Sequence, residues 1–252
     1  MPNAHLAFGI DISKFNTSPD GKKKVNFDTV GAHQPKVAFI GMRAGISWGY
    51  QDPWFSYYFQ EAARIGRFRM PYHVLYPSES PITQMDNFFR ILGDVDFLKI
   101  LLVLDLEIDH GQTPSRITQT TASALQILTT RTGRTPVIYS RALWVNQFLR
   151  VQDLPPVYWW LAQYRYSWPY PLYTPEYPSP PRLPQGVSTW HFHQTGDRCQ
   201  PIGTQAMHYM DYDRFNGSDD EFNAFIGYSE PVPVTCPFDG QPCTGGKYLE
   251  RI

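Results

Sequence analysis

The stretch Lys99-Ile100-Leu101-Leu102-Val103-Leu104-Asp105-Leu106-Glu107-Ile108-Asp109 constrains the fold more than any other. A short apolar run that ends in carboxylates reads as a strand covered on both faces, as in a parallel sheet. Side chains alternate across a strand, so Asp105 and Glu107 leave on the same side, above Val103. Their Cα atoms stand ~6.5–7 Å apart at the usual rise per strand residue. Two carboxylates at the end of a buried strand are costly unless paired or put to use. Like charges this close push one pKa upward, which suits a general acid. The competing reading is a strand end that turns into a solvated acidic loop.

The rest of the chain alternates strands and helices around this stretch. Strands are expected at residues 6–12, ending near Asp11, then at 37–42 and 70–76. The opening stretch is the fourth. Residues 135–140, 157–164, 187–194 and 208–211 supply four more. Asp52-Pro53 opens a helix, with Asp as N-cap and Pro in the first turn. Further helices are expected at 81–92, from Pro114, at 141–148 and at 222–226. Strands that alternate with helices imply a parallel sheet. Eight of them suit an α/β, irregular TIM-like (β/α) barrel of the (β/α)5β3 kind. Its last three strands are joined by loops, as a meander. The barrel is expected to occupy residues 1–228, with a linker or C-terminal tail at 229–252.

Composition removes several classes. Lys and Arg number 22 against 23 Asp and Glu, for a net charge of −1. They are scattered, so no nucleic-acid partner is expected. No run approaches 18 apolar residues and the N-terminus lacks the pattern of a signal peptide, so no membrane insertion is expected. Cys236 and Cys243 have the spacing to close a small loop, leaving Cys199 free. His191 and His193 share a strand face, but no zinc-like spacing accompanies them, and no metal or cofactor is expected. The aromatic share of 15% fits either core packing or a sugar-binding groove.

Active sites of parallel barrels sit at the C-terminal ends of the strands. Asp11, Asp105, Glu107 and Asp211 all fall at such ends in this reading. Tyr76, Tyr139, Gln163 and Tyr164 lie near strand ends too, where substrate contact and packing or capping are rival roles.

These residues, taken with their neighbours, resemble glycoside hydrolase family 25, the lysozymes of phage endolysins and bacterial autolysins. The likeness begins at Gly9-Ile10-Asp11-Ile12-Ser13. It continues through Arg43-Ala44-Gly45, Asp52-Pro53, Phe55 and Pro71-Tyr72-His73. The family's Asp-x-Glu signature is Asp105-Leu106-Glu107. Trp160-Leu161-Ala162-Gln163-Tyr164 follows, and Met210-Asp211-Tyr212-Asp213-Arg214-Phe215 closes the match. Trp190-His191-Phe192 stands where the family has Trp-Gln-Tyr.

The resemblance implies an N-acetylmuramidase that acts on bacterial peptidoglycan as a monomer, without cofactor. It cleaves the β-1,4 bond between N-acetylmuramic acid and N-acetylglucosamine with retention. Glu107 protonates the leaving oxygen, its pKa raised by the surrounding carboxylates. Asp105 orients the substrate's 2-acetamido group as internal nucleophile, a known exception to the two-carboxylate scheme. Direct attack by Asp105 or Asp211 is the rival mechanism. Asp11 and Asp211 position sugar hydroxyls and keep Glu107 protonated. Trp190 and His191 are carried over as substrate contacts. Two other functions stay open at this point: a chitinase-like glycosidase and a noncatalytic glycan-binding barrel. Such an enzyme acts at the bacterial cell wall, reaching it from the cytoplasm by holin-type release or by another secretion route.

Overall fold

The computed structural model describes residues 6–164, 179–206 and 209–227. Residues 165–178, His208, the 229–252 tail and its two cysteines lie outside the described residues. Nine strands form one sheet: β1 (Phe8–Ile12), β2 (Val37–Ile46), β3 (Tyr50–Gln51), β4 (Phe68–Val74), β5 (Val103–Asp105), β6 (Val137–Ser140), β7 (Tyr158–Ala162), β8 (Phe192–Cys199) and β9 (Met210–Phe215). β3 is a short antiparallel ribbon on β2. The other eight close into a barrel, because β1 pairs with both β2 and β9.

Five helices cover the outside: α1 (Phe27–Ala32), α2 (Phe55–Arg64), α3 (Pro81–Leu92), α4 (Pro114–Thr132) and α5 (Ala142–Phe148). Each follows a strand and precedes the next, so the architecture is the expected (β/α)5β3 barrel. α4 shows why its sequence is helical. Thr113 Oγ1 accepts the Arg116 N–H at 3.3 Å, Pro114 opens the first turn, and Gly133 ends the helix at φ 67°. Ile117, Ala124, Leu125 and Leu128, at helical spacing, are buried.

Strand alternation divides the core in two. Phe39, Met70, Val103, Val137, Trp160 and Phe192 fill the barrel. Ile40, Leu104, Ile138 and Leu161 pack outward against Phe55, Phe88 and Leu125 of the helices. After β9, α6 (Asp219–Gly227) closes one end of the barrel. Its Phe222 meets the rings of Phe39, Phe68 and Phe215 at 5.3–5.8 Å. The opposite end, where the parallel strands finish, is left for the site.

Several details differ from the sequence reading. β8 runs parallel to β7, so the last three strands are not a meander; only β9 is antiparallel, wedged between β8 and β1. β8 starts at Phe192, since Val187 is held in a turn by its N–H bond to the Pro184 carbonyl. Asp52 does not cap α2. Its carboxylate is taken by Arg43 at 2.9 Å and by the Lys14 and Trp54 N–H groups, and the helix starts at Phe55. β2 extends to Ile46, carrying Arg43 onto the rim. α1 and β3 had no counterpart among the expected elements.

Candidate active site

A cleft of about 230 Å³ opens at the C-terminal end of the parallel strands. Asp11 (β1), Asp105 (β5) and Asp211 (β9) line it, with Glu107 just past β5. Asp105 is the last residue of its strand, and Val103 below it is fully buried in the barrel. Asp211 arrives by a different route from the one expected. It stands near the start of β9, and because β9 is antiparallel its beginning meets the end of β1. Asp11 and Asp211 are direct register partners. Opposite residues of an antiparallel pair put their side chains on the same face.

Close packing fixes Asp11. A Cβ on Gly41 would meet the Asp11 Cβ at 2.7 Å and the Trp160 ring at 2.6 Å, so only glycine fits there. Trp160 forms part of the cleft wall and gives its indole N–H to Asp213 Oδ1 at 2.8 Å. Asp213 is fully buried one step below Asp211 on β9. Gln194 on β8 gives its amide N–H to Asp11 Oδ2 at 2.7 Å. Its carbonyl oxygen accepts from the Tyr139 and Tyr164 hydroxyls at 2.8 and 3.0 Å. Arg141 donates to the Tyr164 hydroxyl at 3.2 Å and stands 3.7 Å from Glu107 Oε1. A chain of polar contacts thus runs from Glu107 around the rim to Asp11.

Burial raises the proton affinity of the whole set. Burial pushes Asp11 up to about 6, with Glu107 adding to the rise and the Gln194 bond opposing it. Burial also holds Asp105 well above the usual carboxylate range, helped by Glu107 and Asp11. Asp211 is raised by burial and then by Asp11 and Asp213. Glu107 is raised by loss of solvent in the cleft, against the pull of Arg141. The carboxylate repulsion expected to act on Glu107 therefore falls mainly on Asp105 and Asp11. Asp105 Oδ1 is buried with no hydrogen-bond partner among the described residues.

The raised acids have a consequence for stability. A carboxyl whose folded pKa exceeds its unfolded value stabilises the fold fully below the unfolded pKa. That stability is lost as pH rises through the folded pKa. For Asp11, with a rise from 3.8 to about 6, the loss between pH 4 and pH 7 is about 2–3 kcal/mol. Asp11→Asn is expected to remove that part of the pH dependence and to be the more stable protein at pH 7. Urea unfolding at both pH values measures it; equal slopes for parent and variant would contradict the raised Asp11.

Of the expected substrate contacts, Tyr139 and Tyr164 line the cleft. Gln163 lies in an adjoining groove, where its Oε1 accepts from the Arg182 N–H at 2.6 Å. Tyr76 stands beyond β4 against the His110 ring at 4.2 Å and outside the cleft lining. Trp190 and His191 correct the reading. They precede β8 and so lie at the opposite end of the barrel, His191 against Tyr158 and Phe225. His191 accepts from the Trp159 N–H, and His193 bonds the Gln163 carbonyl. Both rings are thus tied to the β7 chain. Among the described residues no three His, Cys, Asp or Glu side chains are arranged to hold a metal ion.

Gln194 and Arg141 were missed, and Arg43 and Tyr72, read only as parts of the family's motifs, also line the cleft. Gln194, three residues beyond position 191, is the amide that reaches the site, where it is bonded to Asp11, Tyr139 and Tyr164. Arg141 had a signal, since it follows β6 directly and faces the same rim as the acids.

Known proteins resemble this chain in sequence and fold. The model of glycosyl hydrolases family 25 matches residues 10–212. A protein named YegX from Escherichia coli O157:H7 is 26% identical over 237 residues, covering 92% of this chain and 78% of its own. A lysozyme from Streptomyces coelicolor superposes with a TM-score of 0.72 at 23% identity, covering 89% of this chain and 99% of its own. A family GH25 lysozyme from Aspergillus fumigatus gives 0.68 at 24% identity, with 88% and 99% coverage. The matched span contains Asp11, Asp105, Glu107 and Asp211, and the chain belongs to glycosyl hydrolases family 25.

Proposed function

We propose that this glycoside hydrolase is a peptidoglycan muramidase, which cleaves the β-1,4 bond between N-acetylmuramic acid and N-acetylglucosamine with retention. The observation that carries the reading is the pair Asp105 and Glu107 at one mouth, two acids with different surroundings. Glu107 is 40% exposed at the side chain, lines the open cleft, and has its proton affinity raised above the ordinary range. Asp105 is buried and has one oxygen without a partner among the described residues, which suits an acceptor for a substrate N–H. Both carboxyls are raised, and they titrate as a coupled pair; in this reading Glu107, open to the cleft, carries and delivers the shared proton while Asp105 stays ionised.

In this mechanism Glu107 donates its proton to the leaving oxygen as the glycosidic bond breaks. Asp105 accepts the acetamido N–H and turns its carbonyl oxygen toward the anomeric carbon. That oxygen forms the new bond, giving an oxazolinium intermediate. Glu107, now ionised, takes a proton from the water that opens it, and two inversions give net retention. Asp11 and Asp211 contact sugar hydroxyls. The residues of the tail, 229–252, form no part of this scheme.

Activity needs Glu107 protonated and at least one Asp ionised. The expected pH–rate profile is a bell. Its alkaline limb lies above the ordinary carboxylate range, because Glu107 and its neighbours are raised. A flat profile from pH 4 to 8 would contradict an acid in that role. Clearing of purified peptidoglycan, run beside chitin oligomers, tests the substrate. Cleavage of chitin alone would favour a chitinase-like enzyme, and no cleavage of either would favour a binding barrel.

A further inference from the structure

Arg141 is at odds with the chemistry beside it. A cation near a carboxyl stabilises the ionised form. Its guanidinium is 3.7 Å from Glu107 Oε1, the oxygen set that must keep a proton. The groups that face Glu107 from the surrounding strands are Asp11, Asp105 and Tyr139, and Arg141 is the cation among them. Arg141 is also half-exposed, with five N–H donors available. Among the described residues its guanidinium gives one hydrogen bond, to Tyr164. The ring of Tyr164 lies 5.2 Å below it, which holds the planar group in place.

A second groove leaves the cleft at this point. It measures about 630 Å³, shares Arg141 and Tyr164 with the cleft, and is lined further out by Leu143, Trp144, Gln163 and Arg182. It therefore offers two arginines, an apolar wall and an amide, a surface suited to a short acidic peptide rather than to a bare sugar.

We propose that Arg141 holds a carboxylate of the peptide arm carried by the substrate's muramic sugar, and that the groove beside α5 seats that arm. The inference rests on the muramidase reading. The incoming carboxylate neutralises Arg141 at the moment of binding, so the cation ceases to oppose the proton on Glu107. The enzyme thereby couples recognition of the peptide-bearing sugar to readiness of its acid. Arg141 is a binding and positioning residue in this scheme and takes no part in bond breaking.

The test compares purified peptidoglycan with the same glycan strands after an amidase has removed the peptides. The parent is expected to favour the intact strands in kcat/KM by about tenfold, the scale of a charge-assisted hydrogen-bonded pair. Arg141→Gln is expected to bring that ratio close to one, chiefly through KM, and Arg141→Lys to restore part of it. On peptide-free strands the alkaline limb of kcat/KM should move upward in Arg141→Gln, since a nearby positive charge is gone. A purely structural role would leave that limb in place, and thermal melting checks that the variant is folded. The same ratio in parent and Arg141→Gln would overturn the proposal while leaving the muramidase reading intact. Peptide-free strands cleaved as well as intact ones, but poorly once their lactyl carboxyls are coupled to methylamine, would also overturn it, by assigning Arg141 to the lactyl group. Failure of the parent to cleave either strand would overturn the muramidase reading and this inference together.

Discussion

Glu107→Gln is expected to reduce peptidoglycan hydrolysis by about 10²–10⁴-fold, the usual worth of a positioned general acid. Gln keeps the shape of the side chain and cannot donate the proton. The loss should appear in kcat, because the glycan still meets the same cleft walls. Stability should change little, since Glu107 is half-exposed and a neutral amide suits a site that already disfavours the ionised form. Turbidity clearing and a melting curve measured together separate the two effects. Lysis within a few-fold of the parent would remove Glu107 from the acid role.

The second large effect concerns the nucleophile. If the acetamido oxygen attacks, then de-N-acetylated peptidoglycan lacks the attacking group altogether. The parent enzyme is expected to cleave it more slowly by about 10²-fold or more, consistent with the worth of a well-placed intramolecular group. Asp105→Asn should show the same loss on acetylated glycan, because an amide in place of the carboxylate no longer pulls on the acetamido N–H. On de-N-acetylated glycan the substitution should add little, as the group it serves is missing. The two changes are therefore non-additive. Equal rates of the parent on acetylated and de-N-acetylated strands would point instead to attack by Asp105 or Asp211.

Much of this site was legible in the sequence for one physical reason. Buried parallel strands are short and continuously apolar, so a carboxylate at the end of one stands out. Asp11, Asp105 and Glu107 were found in that way, and α4 followed from Pro114 in its first turn, whereas Asp52, the cap read from the sequence, does not cap α2. The late chain was harder because its strand direction is not written locally. Nothing in residues 208–215 states that β9 runs antiparallel. Asp211 was brought to the correct mouth on a premise, a strand end, that the structure replaces with a strand beginning. The error at Trp190 and His191 has the same origin. A start of β8 misplaced by five residues moved them toward the rim, whereas the real strand carries Gln194 there. Arg141 and Gln194 act through contacts with residues 23–183 positions away, and such partners appear only when the barrel closes.

The central claim is that these four carboxylates cut a glycan strand on the reducing side of N-acetylmuramic acid. The most direct measurement is mass spectrometry of the products from purified peptidoglycan after borohydride reduction. The account predicts fragments that end in reduced N-acetylmuramic acid, produced by the parent and lost in Glu107→Gln. Fragments that end in reduced N-acetylglucosamine, or products that Glu107→Gln still forms at the parental rate, would contradict it.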